Sequence, residues 1–287
     1  MKSIDLSSPK VLRTCLRLAV PAMVAQLINV LYSIVDRIFV GNMQAVGDLA
    51  LAGVGVCAPV TTLITSFASL VGLGGAPVFA MCMGEGRNDN ARKILSNALI
   101  MLLVISALLT ALILPLLKPL LMTFGASENT YPYAEEYMLV YASGCVFAVL
   151  SAGLNQYITA QGYSGIAMAT VCIGAVANIA LDPLFIFTFD MGVTGAAAAT
   201  VLSQGLSTLF VVIFLLLPKT KVRLSLRSCS AKTMLHIVKM GLSPFFITAT
   251  DSIIIIVLNA VLQKYDGADG DMWVTVATIV QAFLSLI

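Results

Sequence analysis

Residues 177–187 read A-N-I-A-L-D-P-L-F-I-F and place an acid, Asp182, inside an apolar run long enough to cross a bilayer. A carboxylate at bilayer depth is costly, so such acids are rare and usually functional. Asn178 lies one helical turn earlier on the same face, and Pro183 removes a backbone donor and weakens the helix. Together they predict an ion site; the alternative is a buried acid that ties two helices together for structural reasons.

The composition is that of a membrane protein. Of 287 residues, 59% are hydrophobic and 10% are charged, whereas soluble domains carry about 25% charged residues. The net charge of +2 gives no indication of a nucleic-acid partner, and the six cysteines are scattered without a C-x-x-C pair. We therefore expect neither a disulfide nor a bound structural metal.

Eight apolar runs predict an all-α polytopic fold, a six-helix transmembrane lobe followed by the first two helices of a second, pseudo-symmetric lobe. The predicted domains are an N-terminal lobe over 1–217, a cytoplasmic basic linker over 218–241 and the start of a C-terminal lobe over 242–287, with helix 7 and part of helix 8. The runs cover residues 18–40, 49–80, 96–117, 134–159, 165–189, 193–217 and 242–262, and the eighth begins near Met272.

Loop charges predict the orientation. Most of the 16 Lys and Arg residues lie in the N-terminal arm, in the loop after the second run, and in the segment 218–239. By the positive-inside rule these segments are cytoplasmic, so we expect a multi-pass protein of the inner (plasma) membrane with its N-terminus inside.

An internal repeat predicts a transporter. At one fixed offset, Pro21 matches Pro244, and Gly47-Asp48 matches Gly270-Asp271. Many secondary transporters consist of such repeats, and six spans per copy give the copies parallel topology. Because the second copy is incomplete, we expect a fragment of a longer transporter.

Further acids lie inside the runs. Asp36 and Asp182 reach a similar depth in the outer half of the bilayer, because both helices run outward and rise 1.5 Å per residue. Two acids at one depth can share a cation or a proton; the alternative for Asp36 is an interfacial acid paired with Arg37. Asp251 lies near mid-bilayer, and Thr200 and Gln204 share one face of the sixth run.

Several motifs are absent from the sequence. It contains no G-x-x-x-x-G-K-[ST] phosphate loop, no T-V-G-Y-G filter and no hydrolase-like spacing of Ser, His and Cys. We therefore expect neither an enzyme nor an ATP-driven pump or channel, and no cofactor.

The chain resembles the bacterial type of the multidrug and toxic compound extrusion (MATE) family. The resemblance rests on D-R-I-F-V-G at 36–41, N-I-A-L-D-P at 178–183, G-V-T-G-A-A-A-A-T at 192–200 and G-L-S-P at 241–244. It implies twelve helices in two lobes, and export of organic cations in exchange for inward H⁺ or Na⁺. By motif match it implies an ion-coupling site formed by Asp36, Asn178, Asp182 and Thr200, with Asp36 and Asp182 as the candidate Na⁺ ligands.

The resemblance also implies that Asp251 stands where many relatives carry a Glu in the drug pocket, and we add Gln204 as a second substrate contact. The expected partners are small cationic organic substrates and the bilayer, with a monomer as the full-length state. The alternatives are a flippase for lipid-linked oligosaccharides and a fragment that does not transport. The sequence distinguishes neither H⁺ from Na⁺ nor one substrate from another.

Overall fold

The apolar runs form helices in the computed structural model, which describes residues 11–43, 46–218, 220–225, 229–265 and 270–284. Within these ranges there is no strand, so the all-α prediction is confirmed. The helices are α1 (Val11–Gly41), α2 (Gly47–Gly84), α3 (Asn88–Ile113), α4 (Leu117–Thr123), α5 (Tyr131–Ser143), α6 (Cys145–Ala160), α7 (Ser164–Pro183), α8 (Gly192–Leu216), α9 (Ala231–Tyr265) and α10 (Gly270–Leu284).

The polytopic prediction is also confirmed. In the described part, six helices are long and apolar enough to cross a membrane, and α5 and α6, which meet at a bend of 55°, pass the same test when they are counted together. Gly144 stands at the bend, where a side chain would collide with Val201 of α8. The apolar α10 is shorter, at 15 residues.

Helices α1, α3 and α9 are already helical well before their apolar runs, α1 from Val11. Helix α3 starts at Asn88, and α9 starts at Ala231, inside the segment that the sequence analysis assigned to a linker. Hydropathy reports the part of a helix that lies in lipid, and a helix can continue into water with polar residues. The extra turns of α3 and α9 are rich in polar side chains, which explains the difference.

Prolines inside the helices leave main-chain carbonyls without an N–H donor, and side chains from other helices approach two of these carbonyls. Pro21 has no N–H for the carbonyl of Arg17, and the Ser164 hydroxyl at the start of α7 donates to that oxygen at 3.2 Å. Pro59 similarly frees the carbonyl of Gly55, which Asn259 of α9 approaches with its amide nitrogen at 3.5 Å. These hydrogen bonds join α1 to α7 and α2 to α9.

Another proline, Pro183, lies at the end of α7. After Pro183 the chain continues as a π-helical turn over Leu184–Thr188. Widened turns of this kind are frequently found at functional sites. The turn follows Asp182 directly, so the backbone is irregular next to the acid.

Glycines let α2 and α9 pack closely. A Cβ on Gly74 would lie 2.7 Å from the Gly241 Cα, and a Cβ on Gly241 would collide with the backbone of Leu70. Small residues allow helices in lipid to approach each other and gain van der Waals contact. The Ser252 hydroxyl of α9 adds a hydrogen bond to the carbonyl of Pro59 at 2.7 Å.

The repeated positions occupy equivalent places in the helices. Pro21 lies inside α1, and Pro244 lies inside α9. Gly47 and Gly270 are the first residues of α2 and α10, and each is followed by an acid in the first turn. The sequence repeat therefore corresponds to a repeated helix–loop–helix unit.

The segment between α8 and α9 is fastened to the first six spans. The Ser230 N–H donates to the Asn97 side-chain oxygen of α3 at 2.8 Å. The Val222 N–H donates to the side-chain oxygen of Gln161 at 3.2 Å, and the Ser96 hydroxyl donates to the Ser225 carbonyl. These contacts hold the described part of the segment against α3 and the end of α6.

Candidate cation site

Helix α7 contributes an amide and an acid on one buried face. Asn178 and Asp182 lie one turn apart, and both are 0% exposed. The amide nitrogen of Asn178 donates to Asp182 Oδ1 at 3.1 Å and approaches the Thr200 hydroxyl of α8 at 3.5 Å. The two donors of the amide thus face Asp182 and Thr200, which leaves the amide oxygen for another partner.

Helix α1 brings a second acid to this face. Asp36 is 9% exposed, and its carboxyl group neighbours the Asp182 carboxyl group where α1 packs against α7. The structure therefore brings together Asp36, Asn178, Asp182 and Thr200, the four residues that the family resemblance singled out. The alternative of an interfacial acid paired with Arg37 is not supported, since Asp36 is buried and forms no ion pair with Arg37 in the described part of the chain.

The site is rich in acceptors and poor in donors. With both acids ionised, Asp36 Oδ1, Asn178 Oδ1 and Asp182 Oδ2 are buried without a hydrogen-bond donor. Buried polar atoms without a partner are costly, so several together call for a bound ion, proton or water. Carboxylate, amide and hydroxyl oxygens are ligands suited to a hard cation.

Two tyrosines of α5 complete the surroundings of the site. Tyr137 and Tyr141 line the same small cavity as Thr200 and Gln204. Their rings stack with centroids 6.0 Å apart. Neither residue was predicted from the sequence; their spacing of four along α5 was the available signal, but it is also typical of plain core packing.

A small cavity of about 140 Å³ opens beside the site. Its walls come from α1, α2, α5 and α8, and its polar lining includes Tyr32, Asp36, Arg37, Tyr137, Thr200 and Gln204. Asp36, the acid that faces α7, therefore also lines this polar cavity.

A larger cavity of about 470 Å³ lies next to it. Its described lining contains amide and hydroxyl side chains and no charged one; the amides are Gln26, Asn29, Asn155, Gln156 and Gln204. Tyr32 and Gln204 line both cavities. The sequence analysis named Gln204 but missed the other four amides.

Asp251 lies apart from this assembly. Its side chain is exposed on α9, and it lines neither of the two cavities. Of the six residues predicted for ion coupling and substrate binding, the structure therefore gathers five and leaves Asp251 elsewhere. An exposed flank on a membrane-spanning helix faces lipid, a partner helix or a water-filled space.

These features define a polytopic helical membrane protein with a buried polar site that suits a cation. The chain belongs to the MatE family, whose model matches residues 21–184. It is 24% identical over 258 residues to the multidrug export protein MepA of Staphylococcus saprophyticus, and 27% identical over 212 residues to the probable multidrug resistance protein YpnP of Bacillus subtilis. These alignments cover 89% and 73% of this chain and 56% and 47% of the relatives, so the chain spans about half the length of each.

The fold matches solved transporters of the same family. The MATE multidrug transporter DinF-BH, solved as a complex, superposes with a TM-score of 0.92 at 31% identity. That match covers 100% of this chain and 64% of DinF-BH. An inward-facing multidrug resistance MATE family transporter matches with a TM-score of 0.81 at 29% identity, over 95% of this chain and 63% of that one.

Proposed function

We propose that this chain carries the cation site of a secondary exporter that moves organic molecules out of the cell in exchange for inward H⁺ or Na⁺. The observation that supports this most directly is the contact between Asp36 and Asp182, two buried acids on different helices. Two buried carboxylates repel each other and lose hydration, so a bound cation lowers the free energy of keeping them together. The names of the relatives, multidrug export proteins, support an organic cargo.

The cation is held by oxygen atoms from three helices. A proton shared between Asp36 and Asp182 neutralises one charge. Na⁺ takes both carboxylates together with the bare amide oxygen of Asn178 and the hydroxyl of Thr200. The three donor-free oxygens support either occupant, since each needs the same excess of acceptors.

Binding of the cation is coupled to the larger cavity through shared walls. Tyr32 lies one turn from Asp36 on α1, and Gln204 lies one turn from Thr200 on α8; both line the larger cavity. When the acids are neutralised, α1 and α7 can pack together more closely. The irregular backbone at Pro21 and Pro183 is where these helices bend most readily. The cavity then changes shape and releases its substrate outward.

The proposed substrate is a small organic cation. The 470 Å³ cavity offers hydrogen bonds but no charge in its described lining, so Gln204 and the other amides bind polar groups there. The positive charge is matched by the carboxyl pair or, outside this cavity, by the exposed Asp251 of α9. A flippase for lipid-linked oligosaccharides is not favoured, because no Lys or Arg of the described lining could bind a pyrophosphate in the larger cavity.

The setting of the proposed exporter follows from the loop charges. We place it in the inner membrane with a cytoplasmic N-terminus, as a monomer in its full-length form.

Asp36→Asn and Asp182→Asn test the proposal. Each keeps the size of the side chain and removes the charge, so we expect cation-driven efflux of a dye to fall at least tenfold in cells that express the protein from its full gene. In the purified 287-residue chain we expect H⁺ release on Na⁺ addition, or pH-dependent proton uptake, to disappear. Asp190→Asn, which changes an exposed acid at the end of the same span, is the matched control. Efflux and cation uptake that persist in both variants would contradict the proposal.

A further inference from the structure

Arg37 follows the acid of the cation site, yet it contacts a different helix. Neighbouring residues on an α-helix point about 100° apart. While Asp36 faces Asp182 of α7, the Arg37 guanidinium donates from Nη1 to the main-chain carbonyl of Thr278 in α10, at 2.5 Å. A hydrogen bond from a charged donor is roughly twice as strong as a neutral one. One turn of α1 thus connects the cation site to the second helix after the basic segment.

Thr278 is a fixed anchor for this contact. Its side chain is 3% exposed, and its hydroxyl donates to the Val274 carbonyl at 2.8 Å. A Cβ on Gly55 of α2 would collide with that hydroxyl, so α10 lies directly against α2 at this point. A change in the Arg37 contact therefore acts on α10 as a whole.

Among the described residues, Asp36 is the acid that faces Arg37, although the two side chains form no close ion pair. Within the described ranges no carboxylate lies within ion-pair distance of the guanidinium, and the titratable groups that face it are Asp36 of α1 and Tyr137 of α5. Tyr32 and Tyr141 stand in the same cavity wall. When a cation neutralises Asp36, the half-buried guanidinium loses its counter-charge, and its present position becomes less favourable.

We propose that Arg37 is a positioning residue that links occupancy of the Asp36–Asp182 pair to the contact between α1 and α10. The proposal rests on the cation site described above. Linkage is reciprocal: if the cation weakens the contact between Arg37 and α10, then Arg37 in that contact weakens binding of the cation. Without Arg37, the cation should bind more tightly and α10 should no longer respond to it.

The chain contains its own reporter for α10. Trp273 is the only tryptophan of the sequence, lies on α10 five residues before Thr278, and is 41% exposed. Its emission in the purified 287-residue chain, in lipid nanodiscs, is followed while pH or Na⁺ concentration is varied. Cation uptake is measured separately by calorimetry and by proton release.

For the unchanged chain we expect a shift of Trp273 emission that follows cation uptake. Arg37→Gln should abolish the shift and lower the cation concentration at half-saturation about tenfold, the Coulomb effect of one removed charge at partly buried distances. Arg37→Lys keeps the charge and a donor, so it should retain the shift. Arg17→Gln removes an exposed charge near the other end of α1 and should change neither. Should Arg37→Gln fail to fold, Arg37→Met replaces it, because it keeps the apolar stem.

The outcomes separate the two proposals. If the unchanged chain takes up no cation, the proposed function fails, and the role of Arg37 fails with it. If the cation binds but Trp273 responds equally in the unchanged chain and in Arg37→Gln, only the role of Arg37 is overturned. A response lost in Arg37→Gln and restored in Arg37→Lys supports a link through charge rather than through packing.

Discussion

At the scale of single residues, the carboxyl–amide cluster is defined by what its oxygens lack. The amide nitrogen of Asn178 is directed at Asp182 and Thr200. The amide oxygen of Asn178 and one carboxyl oxygen each of Asp36 and Asp182 have no hydrogen-bond donor. A purely structural pair of buried acids would be expected to have its acceptors satisfied by nearby N–H or O–H groups. This excess of acceptors over donors is the physical reason for our proposal that the cluster binds a cation reversibly.

Thr200→Val should weaken cation binding about tenfold, because it removes one hydroxyl oxygen from the site while keeping the shape of the side chain. The measurement is calorimetric titration of the purified chain with Na⁺ and with acid. Thr208→Val is the matched control, since Thr208 is also buried on α8 but its hydroxyl donates to the Phe147 carbonyl at 2.8 Å, away from the acids. Equal affinities in the two variants would exclude Thr200 from the site.

The acids and three of their polar neighbours could be predicted from the sequence, but the tyrosines and the remaining amides could not. Asp36 and Asp182 are conspicuous because lipid penalises charge, so one sequence suffices to select them. Tyr137, Tyr141 and Asn155 are uncharged and could lie anywhere on a helix surface, so only the packing of α5 and α6 against α8 and α7 reveals them. For Asp251, the apolar run indicated the depth in the bilayer, but depth does not determine which face of a helix a side chain occupies.

At the scale of elements, prolines and glycines determine how the helices meet. The sequence predicted the all-α polytopic class because hydropathy and length are local properties. It could not predict the bend at Gly144 or the early start of α9, because the first depends on Val201 of another helix and the second on polar residues outside the apolar run.

The Ser164 hydrogen bond should matter only while Pro21 is present. Ser164→Ala leaves the Arg17 carbonyl without a donor, and we expect a loss of about 1 kcal/mol in the free energy of unfolding. In a Pro21→Ala background, the N–H restored at position 21 can donate to the Arg17 carbonyl. Ser164→Ala should then leave the free energy of unfolding nearly unchanged. Thermal unfolding of the four variants in detergent gives this double-mutant cycle. Equal losses in both backgrounds would show that Ser164 acts through something other than the gap at Pro21.

The close approach of α2 and α9 should not tolerate a methyl group. Gly241→Ala places a Cβ against the Leu70 backbone, and we expect destabilisation of about 1–3 kcal/mol from forced separation of the helices. Gly165→Ala is the control, because a Cβ there meets nothing within 4 Å. The temperature of half-unfolding of the purified variants should fall for the first and stay unchanged or rise for the second.

At the scale of the whole molecule, the loop charges predict which connecting segments lie on the cytoplasmic side of the membrane. The segment between α8 and α9 should be cytoplasmic, and the turn between α4 and α5 should be outside. Cys229 is exposed in the first of these, and Glu128 lies in the second. A membrane-impermeant maleimide should therefore leave Cys229 unlabelled in intact cells and label it after permeabilisation. A Glu128→Cys variant should react from outside at once, and the reverse pattern would invert the topology.

The match to DinF-BH over all 287 residues indicates that the described helices take the arrangement found in a complete transporter. Helices α9 and α10 pack against α2 through Gly241, Ser252 and Thr278, and not through the cation site itself. The proposed ion-binding residues lie on α1, α7 and α8, and Arg37 of α1 contacts α10.

The fastening of the segment before α9 has a mechanical consequence. The contact between Ser230 and Asn97 lies one residue before α9 begins at Ala231, so the start of α9 is attached directly to α3. We therefore expect a tilt of α9 to be transmitted to α3 at this contact.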